Sequence, residues 1–167
     1  MQYRRAYVDG GTYFFTINLY NRKQTLLTDH VDLLRESFRY VKSRHPFTID
    51  AIVVLPDHLH LIMTLPADDD FSTRIGLIKQ HFTRHLNQLN PNSSKPVVWQ
   101  KRFWEHLIRD PQDFENHVNY IHYNPVRHGY CQRAADWQYS SIHRFIKQGV
   151  ISHDWAWQDD TKIVFGE

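Results

Sequence analysis

Apolar residues recur along this chain in two ways, which divide it into strands and helices. Alternation, together with β-branched and aromatic residues, predicts strands at residues 12–20, 47–55, 58–65 and 97–108. Recurrence at every third or fourth position predicts helices at residues 31–44, 71–89 and 112–124. The elements therefore follow the order strand, helix, strand, strand, helix, strand, and one more helix follows them in the sequence.

This order predicts an α+β fold, the ferredoxin-like split β-α-β sandwich, in which two helices cover one face of an antiparallel sheet. The other face is then open to the third helix. We expect a single domain over residues 1–167, with a ferredoxin-like core in 1–109, the third helix and a helical part in 110–148, and a tail in 149–167. The tail, which carries Trp155 and Trp157, either docks on the domain or gates a site.

Local signals mark where the helices begin and end. Thr28 or Asp29 is expected to cap the first helix, and His45-Pro46 to stop it. The third helix is expected to start at Asp110-Pro111 and to end where Pro125 and then Gly129 break it.

The composition is that of a folded protein with an interior of its own. Hydrophobic residues make up 41% of the 167 positions and charged residues 23%. The start of the chain lacks the apolar stretch of a secretory signal, and the longest fully apolar run, Ala51 to Leu55, is too short to span a membrane. A cytoplasmic location is the resulting expectation. The single cysteine, Cys131, excludes an internal disulfide and a cysteine-based zinc site.

The strand at 58–65 carries the first candidate chemistry. Its alternation places His58 and His60 on one face, and Leu59, Leu61 and Met63 on the other. Two imidazoles two residues apart on a strand can bind one metal ion. With 12 histidines in the chain, however, about one His-x-His pair arises by chance, so the pair needs a partner elsewhere.

The third helix provides such a partner. Its apolar stripe of Phe114, Val118 and Ile121 leaves a second stripe of His117, Tyr120 and Asn124. If the helix packs on the open sheet face, this second stripe meets the two strand histidines. A metal held by two imidazoles and a side-chain oxygen would polarise a phosphate, Tyr120 would be the nucleophile that forms a phosphotyrosine, and His117 is a candidate helper.

Basic residues stand repeatedly beside aromatic ones, an arrangement that suits phosphate contacts and base stacking. The net charge is only +2, with an isoelectric point near 8.7, so distribution matters more than amount. Ordinary solvated charges beside core aromatics are the equally open interpretation. The candidate DNA-binding residues are Arg4, Arg5, Arg22, Lys23, Lys79, Arg84, Lys101, Arg102 and Arg127.

Two motifs resemble those of the REP-associated tyrosine transposases, relatives of the single-tyrosine HUH transposases. They are the strand His58-Leu59-His60 preceded by Leu55-Pro56-Asp57, and the run from Tyr120 to Gly129 (YIHYNPVRHG). The resemblance extends over nearly the whole chain, including residues 102–106 and 135–141. It implies that His58 and His60 are the HUH pair and that Tyr120 is the nucleophile.

The resemblance also implies a substrate and a cofactor. The substrate would be single-stranded DNA that forms hairpins from repetitive extragenic palindromes (REPs), cleaved to a 5′-phosphotyrosine and a free 3′-hydroxyl and then rejoined. The cofactor would be Mg²⁺ or Mn²⁺, although imidazole ligands favour softer metals, which makes Mn²⁺ the easier fit. Asn124 stands where related insertion-sequence transposases place a metal-binding glutamine, and its side chain is one methylene shorter.

Several alternatives stay open at this point. A non-catalytic ferredoxin-like nucleic-acid-binding module would use the same basic and aromatic residues, with structural histidines. A metal-dependent phosphoesterase for small substrates is a third option, although a second His-x-Thr/Ser motif is missing. The Tyr120 ring could serve the core instead of chemistry. Both a monomer and a homodimer are compatible with the sequence, with the tyrosine helix acting in its own subunit or in its partner.

Overall fold

The computed structural model describes residues 4–158 and 163–167. Residues 1–3 of the expected core and 159–162 of the expected tail lie outside the described part. The elements are β1 (Thr12–Asn18), α1 (Leu26–Asp29), α2 (Val31–Arg44), β2 (Thr48–Val54), β3 (His58–Thr64), α3 (Phe71–Leu89), β4 (Trp104–Leu107), α4 (Pro111–Arg127), a 3-10 turn (Ala134–Asp136) and α5 (Ile142–Lys147).

The four strands form one antiparallel sheet in the order β2-β3-β1-β4. This is the strand order of the ferredoxin-like split β-α-β unit, and the predicted α+β fold class is confirmed. The central pair is in register from Thr12 opposite Thr64 to Asn18 opposite His58. Among the described helices, none is long and apolar enough to cross a membrane.

The two faces of the sheet are covered by different helices. On one face α2 and α3 pack over an apolar layer that includes Phe15, Leu61 and Phe82. On the other face α4 lies across β2 and β3, and its Ile121 joins Phe14 in a second apolar cluster. The third helix therefore occupies the face that the sequence left open.

The alternation of β3 fixes which side chains meet α4. Leu59, Leu61 and Met63 belong to the layer beneath α2 and α3. His58 and His60 lie on the opposite face and are buried. The predicted division of this strand into a histidine face and an aliphatic face is confirmed.

Two predicted boundaries near the N-terminal helix and the fourth strand are wrong. The cap of α2 is His30 instead of Thr28 or Asp29, because the short helix α1 already occupies those two positions. The fourth strand covers only Trp104–Leu107 and not residues 97–108. The aromatic residues that favoured a longer strand pack instead against the core, where Trp99 is buried and forms a single bridge with Leu19.

The predicted break of the third helix at Pro125 is also wrong, since α4 continues to Arg127. A proline removes one intrahelical hydrogen bond and crowds the preceding turn, but here it lies in the last turn of a helix held by its buried face. His128 closes the helix by donating its backbone N–H to the carbonyl of Asn124. Gly129, with φ of 76°, then ends it as expected.

A segment after the 3-10 turn lies along the outer edge of β2. The backbone N–H of Val54 donates to the carbonyl of Tyr139 at 2.8 Å, and that of Ser141 donates to the carbonyl of Ile52 at 2.8 Å. The indole N–H of Trp137 donates to the carbonyl of Val54 at 3.0 Å. This edge segment, residues 137–141, links the α4 side of the sheet to the α2 side.

Candidate active site and metal-binding residues

His58 begins β3 immediately after the turn at Asp57, and this turn orients its ring. The Nδ1 atom of His58 lies 2.8 Å from Oδ1 of Asp57, whose other oxygen accepts from Nε of Arg22 at 2.5 Å. Burial raises the pKa of Asp57, but hydrogen bonds from His58 and Arg22 outweigh it and lower that pKa to about 2. The ionised carboxylate accepts the Nδ1 proton, which leaves Nε2 of His58 as a potential ligand atom.

His60 is oriented in the same manner by β1. Its Nδ1 lies 2.9 Å from Oγ1 of Thr16, and that hydroxyl donates its own proton to the carbonyl of Phe165 at 2.6 Å. The hydroxyl therefore accepts from Nδ1, so Nε2 of His60 is also directed into the site. Burial lowers the pKa of His60 to about 4. Both histidines thus direct Nε2 to the α4 face.

α4 brings Tyr120 against this pair. The helix starts at Pro111, and the side chain of Asp110 caps it by accepting from the backbone N–H of Asp113 at 2.8 Å, which confirms the predicted start. The ring of Tyr120 lies 5.2 Å from the ring of His60, centroid to centroid. The guanidinium of Arg127 lies 5.3 Å from the centre of the Tyr120 ring. The tyrosine is buried next to the strand histidines.

Asn124 lies one turn after Tyr120 and reaches the same place. It is fully buried, and its Nδ2 donates to Oε1 of Glu167 at 2.6 Å. Its Oδ1 makes no hydrogen bond with any residue in 4–158 or 163–167. An amide oxygen of this kind is a suitable ligand for a hard divalent cation.

His117, the candidate helper, is placed differently. Its Nδ1 donates to the carbonyl of Asp113 at 2.7 Å, and its ring stacks on that of His106 at 4.6 Å. Burial lowers its pKa. The ring also lies 4.8 Å from that of Phe14. His117 therefore lies in a mostly aromatic environment next to Phe14, which also contacts Tyr120, and it forms part of a separate cluster with His106 and Asp113.

Glu167 occupies the centre of this site, and sequence reasoning did not find it. Its Oε1 lies 2.9 Å from Nε2 of His60, 3.2 Å from Nε2 of His128 and 3.9 Å from Nε2 of His58. Burial raises the pKa of Glu167, but hydrogen bonds from His128, His60 and Tyr120 outweigh it and hold that pKa well below its usual value. No local pattern could indicate this contact, because 107 positions separate Glu167 from His60.

The tail holds Glu167 in place through Phe165. The Phe165 ring stacks on that of Tyr120 with centroids 3.6 Å apart and planes 4° apart. Phe165 is buried in the same cluster as Phe14 and Ile121, and Trp157 packs against that cluster. Of the two expectations for the tail, docking is therefore observed in its described residues.

The donor set fits a divalent cation. Nε2 of His58 is buried and has no hydrogen-bond partner in the described ranges 4–158 and 163–167. Neighbouring ligands of one octahedral ion lie about 3 Å apart, a spacing close to that between Glu167 and His60. His58, His128 and Glu167 form one of the side-chain groups compact enough to hold an ion.

The candidate DNA-binding residues fall into three sets. Arg22 and Arg127 border the site through Asp57 and Tyr120. Arg5 and Lys79 make structural contacts, since Arg5 pairs with Glu105 at 3.4 Å and Lys79 donates to the carbonyl of Gln100. The remaining members are exposed, and their role in DNA binding stays a prediction: Arg4, Lys23, Arg84, Lys101 and Arg102.

Known proteins match this chain over nearly its full length. Residues 8–124 match the family model described as Transposase IS200 like. A REP-associated tyrosine transposase of Escherichia coli (strain K12) is 47% identical over 167 residues, which cover 99% of this chain and 96% of the relative. A Haemophilus influenzae protein, described provisionally under the same name, is 46% identical over 169 residues, with 96% of each chain covered.

A solved structure leads to the same family. It is described as a REP-associated tyrosine transposase bound to a REP hairpin, and it superposes with a TM-score of 0.89 at 47% identity, covering 100% of this chain and 97% of that one. The chain therefore belongs to the IS200-like transposases and, within them, to the REP-associated tyrosine transposases.

Proposed function

We propose that this protein cleaves and rejoins single-stranded DNA beside REP-type hairpins, with Tyr120 as the nucleophile and a 5′-phosphotyrosine as the intermediate. One observation carries the proposal: Oε1 of Glu167 lies 2.9 Å from Nε2 of His60 and 3.2 Å from Nε2 of His128, and the same side chain hydrogen-bonds with Tyr120. An anionic oxygen of a DNA phosphate at that point would meet the same groups. The phosphorus would then lie next to the tyrosine oxygen.

The reaction needs two changes at the phosphate. The Tyr120 phenol gives up its proton and its oxygen bonds to phosphorus, while the 3′ oxygen of the neighbouring nucleotide leaves and takes up a proton. Rejoining is the reverse attack by a 3′-hydroxyl. The guanidinium of Arg127 lies 5.3 Å from the centre of the Tyr120 ring, where its positive charge would stabilise the negative charge that develops at the reacting phosphate.

We assign the cation site to His58 and His60, with the Asn124 oxygen as a third ligand. A divalent cation bound there would polarise the scissile phosphate and stabilise its developing charge. Asp57 and Thr16 orient the two imidazoles by holding their Nδ1 atoms. Since two nitrogen ligands suit Mn²⁺ better than Mg²⁺, Mn²⁺ is our choice for the cofactor.

The substrate proposal rests on the relatives. The superposed structure is described as bound to a REP hairpin, and the two sequence relatives carry the REP name. We extend this substrate class to the present chain, and we propose that the parts at 1–109 and 110–148 act together as one catalytic domain.

A denaturing-gel assay tests the nucleophile. Hairpin-bearing single-stranded DNA, labelled on the strand that would carry the 5′ phosphate, is incubated with the protein and Mn²⁺. We expect a covalent adduct with the native chain that disappears in Tyr120→Phe. Tyr123→Phe is the matched control, because Tyr123 is on the same helix but packs against Trp155 and Trp157.

Because Glu167 fills the site, the assay is repeated with Glu167→Ala. If neither the native chain nor Glu167→Ala forms an adduct, or if Tyr120→Phe forms as much as the native chain, the proposal is wrong.

A further inference from the structure

A line of rings leads away from the candidate site around the end of β2. The His128 ring lies 5.1 Å from that of His58, Tyr130 follows at 6.2 Å, Trp137 at 5.3 Å and Tyr139 at 5.7 Å, all between ring centroids. Tyr130 is 45% exposed. We call the four rings from His128 to Tyr139 the aromatic path.

The path ends in a cavity that the proposed chemistry does not use. The cavity has a volume of about 360 Å³ and lies between α2, the outer part of β2 and the edge segment. Leu34, Phe38 and Ile52 line it, and Tyr139 lies at the end where the path arrives. Its volume lies at the lower end of the range for small-molecule pockets, about 300–1,000 Å³.

Three cations on one side of α2 border this cavity: Arg35, Arg39 and Lys42. Their spacing of four and three residues places them in a row about 10 Å long. Arg35 pairs with Asp32 at 3.1 Å and lies 5.9 Å from the Tyr139 ring. Arg39 and Lys42 are exposed and make no ion pair with the residues the structure describes, so their charge is available to a ligand.

A row of rings followed by an apolar pocket with a cationic border fits one ligand chemistry. Nucleobases stack on aromatic side chains, and the phosphates between them are attracted to arginine and lysine. A flexible single strand can also follow the curved surface around the end of a sheet, which a rigid duplex cannot. The path starts at His128, which contacts the oxygen that stands in for the scissile phosphate.

We propose that the aromatic path and the α2 cavity form an extended binding site for the single strand that adjoins the scissile phosphate, with one base seated in the cavity. This inference rests on the proposed function, since it takes the substrate to be single-stranded DNA. None of the residues of the cavity border is among the basic residues that the sequence suggested.

Binding measurements with substrates of two lengths test the proposal. Fluorescence anisotropy measures the binding of hairpins that carry a single-stranded extension of two or ten nucleotides. The extension is placed on the 5′ side of the cleavage position in one set of substrates and on the 3′ side in the other. We expect the long extension on one side to raise the affinity of the native chain. Tyr139→Leu should weaken binding of that substrate about fivefold or more, because one stacked base is lost, and leave the short one unchanged.

The double variant Arg39→Ala/Lys42→Ala tests the cavity border without touching the interior. It should weaken binding of the long substrate and reduce the slope of log affinity against log salt by about 1.4, the value for two contacts with a single strand. Lys95→Ala/Lys147→Ala removes the same charge from exposed positions elsewhere and is the matched control. Thermal melting establishes whether each variant is folded. If Tyr139→Leu is unfolded, the binding of Arg39→Ala/Lys42→Ala alone tests the extended site.

The outcomes separate this inference from the proposed function. If the extension does not change the affinity of the native chain, or if the variants weaken short and long substrates equally, the extended site is wrong. Formation of the Tyr120 adduct on the short substrate would still support the proposed function in that case. Conversely, length-dependent binding without any adduct would keep the site and overturn the chemistry.

Discussion

The two faces of the central strands have opposite chemistry although they share the same backbone. On the α2-α3 face, β1 presents Tyr13, Phe15 and Ile17 and β3 presents only aliphatic side chains and a methionine. On the α4 face the cross-strand pairs change from Phe14 with Ile62, through Thr16 with His60, to Asn18 with His58. One face is a uniform apolar layer, whereas the other becomes polar towards the turn at Asp57.

The difference favours a division of roles, with stability on the α2-α3 face and the proposed chemistry on the α4 face. Buried polar groups cost free energy unless they find partners, so a sheet selected for stability alone has little reason to bury two imidazoles. On the α4 face each imidazole is held at Nδ1 and directed at Nε2, which is the arrangement of a metal ligand. We therefore expect substitutions on the two faces to have separate consequences.

The largest expected effect is on cleavage, from His60→Ala on the α4 face. Loss of a ligand that positions the charge at the phosphate should lower the rate of adduct formation about 1000-fold. Binding of hairpin DNA should change little, since cations supply the phosphate contacts. Rates from denaturing gels and affinities from anisotropy measure the two effects, with the exposed His153→Ala as control. An equal loss of both would indicate a folding defect and break the comparison.

Substitution of Leu61, the next residue on β3 and on the opposite face, should lower stability without affecting the metal site. Leu61→Ala removes a fully buried side chain from the layer beneath α2 and α3. The free energy of unfolding of the Leu61→Ala variant, measured by urea titration, should be about 2–5 kcal/mol lower than that of the native chain, because the substitution leaves a cavity. In the absence of urea, the folded Leu61→Ala variant should bind Mn²⁺ with the same affinity as the native chain. A weaker Mn²⁺ affinity would mean that the two faces are coupled.

Acid should destabilise the protein through neutral histidines buried at α4. Burial, with Arg144 and His143 nearby, lowers the pKa of His122 to about 3. The unfolded chain binds this proton below about pH 6.5 and the folded chain does not, so stability is complete above that pH and falls as the pH decreases. From this residue alone we expect a loss of about 2 kcal/mol at pH 5. His122→Gln should flatten the pH dependence of urea unfolding, and the same slope in the variant would contradict the assignment.

The smallest expected effect concerns the carboxylate in the site. Glu167→Gln removes the charge that stands where a phosphate oxygen would bind, so the affinity for hairpin DNA should rise about threefold to tenfold, a change of order 1 kcal/mol. The exposed Glu115→Gln on α4 is the matched control. Anisotropy measures the DNA affinity of each variant, and titration with Mn²⁺ measures its metal affinity. A fall in Mn²⁺ affinity without a gain for DNA would make Glu167 a metal ligand instead of a competitor.

Sequence reasoning was most successful where chemistry follows a local period. The alternation of His58, Leu59, His60 and Leu61 was enough to assign each side chain to its face, because a strand permits only two directions. The stripe of Tyr120 and Asn124 was found in the same way from the helical period. The length of a strand, by contrast, depends on pairing with distant residues, and β4 is much shorter than its aromatic content predicted.

What the sequence could not provide are contacts made by folding of the whole chain. Phe165 and Glu167 reach the site only because the tail returns to the sheet, and no spacing rule connects them to Tyr120. Pro125 misled for a related reason, since its cost to a helix is real but smaller than the gain from the buried side of α4.

The hydrogen bonds between β2 and the edge segment have a consequence for self-association. An uncovered outer strand is a template on which a second copy of a chain can add its own strand. Here the backbone groups of Ile52 and Val54 that such a copy would need are already bonded to Ser141 and Tyr139. At these positions the chain's own C-terminal part occupies the edge of the sheet, so a second copy cannot add a strand there.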